Sequence, residues 1–172
     1  MKYWVFDTET YLIAPGRLAP KLVCLSEMEG ASPSLHLPDA GCSKLEEKLR
    51  SPDWTIVGHN VAFDIAVCVQ HRPKLMPLVW RAYDEGRILD TMIWEKLVCI
   101  REGWTKYHPQ VGAKPKFSLA ALVERYLGHS MEGKQDEDAW RYRYHELDEK
   151  PLVEWPSAAK LYALKDAEVT HR

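Results

Sequence analysis

Near the start of the chain an unbroken apolar run, Tyr3-Trp4-Val5-Phe6, leads straight into Asp7-Thr8-Glu9-Thr10. A run without polar alternation has the composition of a strand covered on both faces, so the chain must supply layers on either side of it. Side chains alternate along a strand with a period of two, so Asp7 and Glu9 leave its end from the same face. Adjacent carboxylates repel, and folding alone gives little reason to pair them. One reading is a polar strand end running into a turn. The other is a site for a divalent cation, because hard cations prefer carboxylate oxygens.

The rest of the chain falls into two parts. Leu22-Val23-Cys24-Leu25 marks a second strand over about 21–28, and Ser34 to Leu37 a short third strand stopped by Pro38. No helix separates these segments, which predicts an antiparallel meander. Helices and strands then alternate. Ser43 and Glu46 have capping-box spacing, and Leu45 and Leu49 share a face, predicting a helix over 42–50. Trp54 to Gly58 reads as a strand that returns parallel to the first. Asn60 is the expected N-cap of a mostly buried helix running to Val69. Residues 72–86 hold a short helix, and Arg87 to Leu89 a last strand. Asp90 caps a helix over 91–100, with Ile93, Leu97 and Ile100 on one face. Ser118 and Gly128 bracket a helix over 119–127. A polar, acidic, flexible insertion is expected at 129–139, and a final helix at 157–172.

With 172 residues the chain is long enough for one domain with a core. Its formal net charge of −2 provides no global basic field, so any nucleic-acid binding must be local or metal-assisted. The local candidate is Lys96 to Lys116, where Lys96, Arg101, Lys106, Lys114 and Lys116 interleave with Trp104, Tyr107 and His108. Such a segment is either a single-strand contact surface or a solvated loop with packing anchors. Trp140-Arg141-Tyr142-Arg143-Tyr144 has the same ambiguity between base stacking and ordinary packing. Cys24, Cys42, Cys68 and Cys99 lie far apart without a CxxC pair, which argues against structural zinc and suits a reducing compartment. No signal peptide or membrane-length apolar run is present, so a cytoplasmic protein without membrane contact is expected.

Two further acids stand beside apolar residues. Asp64 lies in the first turns of its helix among apolar neighbours, where an unpaired carboxylate is costly. Asp166 lies one turn after Tyr162 on the last helix. If the sheet gathers Asp7, Glu9, Asp64 and Asp166, they cannot all ionise without cations. Two divalent ions would answer the electrostatics and clamp the attacking and leaving oxygens of a phosphodiester displacement. Tyr162 would then orient the attacking water.

Phe6-Asp7-Thr8-Glu9-Thr10, Asn60-Val61-Ala62-Phe63-Asp64 and Tyr162-Ala163-Leu164-Lys165-Asp166 resemble, in that order, the DxE, NxxFD and YxxxD motifs of the DEDD superfamily of 3′–5′ exonucleases. A tyrosine four before the last aspartate marks the tyrosine branch. The histidine branch would carry a histidine at position 161, where this chain has Leu161, and His171 lies on the wrong side of Asp166. The tract with Trp140 and Arg143, and the segment up to Trp155-Pro156, resemble the exonuclease domains of phage-type family A DNA polymerases.

The resemblance implies an α/β, RNase H-like fold with a mixed five-stranded sheet flanked by helices. It implies two divalent ions, Mg²⁺ or Mn²⁺, held by Asp7, Glu9, Asp64 and Asp166, with Asp7 bridging both ions and Tyr162 completing the catalytic set. Thr8, Thr10, Asn60 and Phe63, which lie within the motifs, are carried over as substrate-binding residues. The implied activity is metal-dependent 3′–5′ hydrolysis at single-stranded DNA 3′ ends in proofreading, with a DNA polymerase domain as partner in cis or in trans. Two other readings are an RNA 3′–5′ exonuclease and a non-catalytic nucleic-acid-binding or polymerase-docking module. The presence of all four acids and the tyrosine argues against the last. The chain ends six residues after Asp166, where the family's helix usually continues, so a truncated domain and a stand-alone exonuclease are both open.

Overall fold

The computed structural model describes residues 2–131 and 140–172. β1 (Lys2–Thr10) pairs antiparallel with β2 (Leu22–Glu29), which pairs antiparallel with β3 (Ser32–His36). α1 (Pro38–Arg50) crosses over to β4 (Trp54–Gly58), which runs parallel to β1. α2 (Val61–His71) and α3 (Met76–Asp84) lead to β5 (Ile88–Asp90), parallel to β4. The sheet order is β3-β2-β1-β4-β5, so the apolar run occupies the central strand. α4 (Thr91–Arg101), α5 (Leu119–Leu127), three 3₁₀ turns within 140–154 and α6 (Ser157–His171) complete the chain. This is the mixed five-stranded, RNase H-like α/β architecture.

Burial follows the two-sided requirement of β1. Trp4 and Phe6 stack at 5.0 Å and pack with Leu25, Leu45, Ile56 and Ile65 under α1 and α2. On the opposite side α6 lies against β1, β2 and β3. Ala159, Ala163 and Ala167, four apart and fully buried, let α6 approach the sheet closely beside Val23, Cys24 and Trp155. All four cysteines are buried, free thiols. Among the described residues no helix is long and apolar enough to cross a membrane.

Four local expectations change. α1 starts at Pro38 rather than near residue 42, because the proline that stops β3 also supplies the preset φ of a first helical turn. Ser43 therefore lies inside the helix, where its hydroxyl donates to the Asp39 carbonyl at 2.8 Å. Asn60 sits at the start of α2 in the left-handed region, φ 62°, and its side chain does not cap the helix. Asp90 takes over: its carboxylate accepts the Asn60 and Val61 N–H groups at 3.0 Å each, and those of Met92 and Ile93 at 2.9 and 3.2 Å. One side chain thus caps both α2 and α4. On α4, Ile93, Leu97 and Ile100 are exposed, and Glu95 and Cys99 are buried instead. The insertion expected at 129–139 falls mostly on residues outside those described. Ser118 and Gly128 bound α5 as expected: the Ser118 hydroxyl accepts from the Ala121 N–H, and Gly128 closes the helix in the left-handed conformation.

Candidate active site

The C-terminal half of β1 supplies the first acids. By alternation Asp7 and Glu9 leave the face that meets α6, and Thr8 leaves the face that meets α2. The Thr8 hydroxyl and N–H both donate to Asp64 Oδ1, at 2.5 and 3.0 Å. The residue between the paired acids therefore fixes the acid on the neighbouring helix. The turn from β4 into α2 makes this approach feasible. A Cβ at Gly58 would sit 2.8 Å from Val61 Cγ2 and 3.3 Å from the Phe6 carbonyl, so a side chain there would push α2 off the strand.

Asp64 is buried, not an acid in solvent at a helix N-terminus. Desolvation pushes its carboxyl up to about 7, the nearby Asp90 charge adds to the rise, and the two Thr8 donors oppose it. From the other side, α6 brings Tyr162 and Asp166. Burial, then the charges of Glu9 and Asp166, raise the Tyr162 phenol above its ordinary value, so its hydroxyl stays protonated at neutral pH. Tyr144 backs it. That side chain is fully buried, donates its hydroxyl to the Ala159 carbonyl at 2.7 Å, and stands 6.3 Å from the Tyr162 ring.

These groups meet around one pocket of about 220 Å³. Asp7, Glu9, Asp64, Asp166 and Tyr162 all line it, as do Thr8, Asn60 and Phe63. Thr10 does not. β1 bulges after Glu9, and the Thr10 hydroxyl donates to the Tyr11 carbonyl at 2.7 Å. Thr10 thus lies outside the pocket lining, whereas Thr8 lines the pocket and also holds Asp64. Two lining residues, His59 and Arg141, were not singled out from the sequence. Arg141 belongs to the alternating 140–144 tract, which was the available signal; His59 had only its adjacency to Asn60. A set of four carboxylates, all hard oxygen donors and one held near neutrality by burial, fits divalent cations.

Two other features are separate from this pocket. A larger cleft of about 440 Å³ between α4, α5 and α6 is walled mainly by apolar side chains, and none of the four acids lines it. Glu95, Cys99 and His108 also cluster, all buried. There, Arg125 ion-pairs with Glu95 Oε1 and the Tyr126 hydroxyl donates to Oε2 at 2.6 Å, so both oxygens are already used to tie α4 to α5. His108 packs edge-on against Trp104 at 4.5 Å, so within the basic 96–116 stretch it serves as an anchor rather than a surface group.

The fold and this acidic pocket define an RNase H-like nuclease. Among solved structures the chain is similar to the EXO domain of Aedes aegypti Nibbler, with TM-score 0.67, 14% identity, and coverage of 99% of this chain and 74% of that one. It is similar to Brucella melitensis NrnC, with TM-score 0.59, 20% identity, and coverage of 99% and 69%. It is also similar to Escherichia coli RNase D, an exoribonuclease involved in structured RNA processing, with TM-score 0.58, 18% identity, and coverage of 98% of this chain but 36% of RNase D. At these identities the likeness establishes the shared fold. No curated protein matches the chain in sequence. Residues 1–172 match the 3′–5′ exonuclease family throughout, and the chain belongs to that family.

Proposed function

We propose that this exonuclease is metal-dependent and removes nucleoside monophosphates from single-stranded DNA 3′ ends in proofreading, alongside a polymerase domain in cis or in trans. The observation that carries the reading is the convergence of Asp7, Glu9, Asp64 and Asp166 with Tyr162 on one pocket. The four carboxylates would hold two divalent cations, Mg²⁺ or Mn²⁺. When bound, such ions supply an activated water and stabilise charge on the leaving 3′ oxygen. Thr8 holds Asp64 in the orientation that ligation needs. The protonated Tyr162 hydroxyl orients the attacking water, which adds to phosphorus as the bond to the 3′ oxygen breaks. Asn60 and Phe63 border the space for the terminal nucleotide.

The preference for DNA is supported by the resemblance of the Trp140–Pro156 tract to polymerase exonuclease domains. The fold of RNase D, an exoribonuclease, favours RNA as the second reading. Matched DNA and RNA oligonucleotides labelled at the 5′ end, digested with Mg²⁺, decide between them. Asp7→Ala and Asp166→Ala should each abolish mononucleotide release with the fold intact by circular dichroism. Near-full activity in either variant refutes the assignment of these acids.

A further inference from the structure

Arg141 is the one lysine or arginine among the described residues that line the acidic pocket. It faces four carboxylates, yet among the described residues no ion pair joins it to any of them. Its guanidinium lies over the Tyr142 ring at 4.3 Å and donates to the Tyr142 hydroxyl. The 3₁₀ turn that carries it, Trp140–Tyr142, is anchored. Trp140 packs 6.2 Å from the buried Tyr144 ring, the Arg143 guanidinium covers Trp140 at 4.7 Å, and the turn contacts α6. Stacking on Tyr142 thus holds the arginine within the pocket lining, with no ion pair, among the described residues, to the acids there.

We propose that Arg141 binds a phosphodiester of the substrate strand; this rests on the exonuclease reading above. Its place in the lining supports it: among the described lining residues Arg141 is the arginine or lysine available to a substrate phosphodiester that enters the pocket. A guanidinium stacked on an aromatic ring keeps its planar fork preset, and that fork matches two phosphate oxygens.

The test is binding of a 5′-fluorescein single-stranded DNA by anisotropy, in Ca²⁺ buffer, from about 50 to about 200 mM salt. Each phosphate contact contributes about 0.7 to the slope of log K against log[salt] for single strands. Arg141→Ala should lower the slope by about that amount and weaken binding, with an unchanged melting temperature. Arg141→Lys should keep the slope, because the charge remains, but recover only part of the affinity, because the fork is lost. Arg50→Ala removes an exposed arginine paired with Glu46 on α1 and should leave the slope unchanged. A wild-type slope in Arg141→Ala overturns the proposal, as does an absence of salt-dependent binding by the wild type. If the slope falls as expected but the wild type releases no mononucleotides with Mg²⁺, the phosphate contact stands and the exonuclease reading falls instead.

Discussion

Asp64→Asn separates the cost of the site from its use. In the metal-free fold the Asp64 carboxyl titrates at about 7, against about 3.9 for an unfolded aspartate. Between these values the folded chain holds a proton that the unfolded chain has lost. The folded state therefore binds more protons, and stability falls as pH rises from about 4 to about 7, with the full cost present above that. Roughly three units at about 1.36 kcal/mol each give about 4 kcal/mol. The group is buried, so solvent screening does not reduce this figure. Asparagine keeps an oxygen to accept both Thr8 donors and carries no charge. Metal-free melts in EDTA should therefore show Asp64→Asn equal to wild type at pH 4 and more stable at pH 8. At about 2–4 °C per kcal/mol for a chain of this size, the gain is about 8–16 °C. The difference between the two proteins isolates Asp64 from other titrating groups. Added Mg²⁺ should raise the wild-type melting temperature at pH 8, leave Asp64→Asn little changed, and leave that variant without nuclease activity. If Asp64→Asn is less stable than wild type at pH 8 in EDTA, desolvation of Asp64 is not the dominant electrostatic cost in this pocket and the reasoning fails.

Tyr162→Phe removes a hydroxyl but no carboxylate. It should lower kcat by about 10–100-fold with KM and calorimetric metal binding near wild type, since a misplaced water costs less than a lost ion; loss of metal binding would show that Tyr162 shapes the metal site. Asp90→Ala strips the caps from α2 and α4 together. At about 1 kcal/mol per cap it should cost about 2 kcal/mol in urea unfolding, and a cost near zero would mean that water replaces the carboxylate at both helix ends.

Much of this molecule is legible in its sequence because the signals are local. The apolar run of β1, the period-two spacing of Asp7 and Glu9, the Ser118 and Gly128 boundaries and the Asp90 cap each depend on a few neighbouring residues. The errors came where the deciding partner is remote. Ile93, Leu97 and Ile100 form a proper apolar stripe on α4, yet the helix buries Glu95, because Arg125 and Tyr126 wait for it on α5 some 30 residues later. Asn60 is a good N-cap by type, but Asp90 reaches its N–H from the end of another strand. Thr8 lies within its motif beside the acids, and only the packing of α2 on β1 reveals that its hydroxyl also holds Asp64.

By itself the sequence determined a central strand that must be covered on both sides, and four acids on three segments that become costly if gathered. These follow from side-chain type and spacing, which operate over a turn or a strand. The tertiary structure alone decided that the four acids share one pocket, that burial lifts Asp64 toward neutrality, and that Arg141 faces them. Desolvation and charge proximity depend on what the fold brings within a few ångströms, and chain positions as far apart as 7 and 166 cannot express that distance.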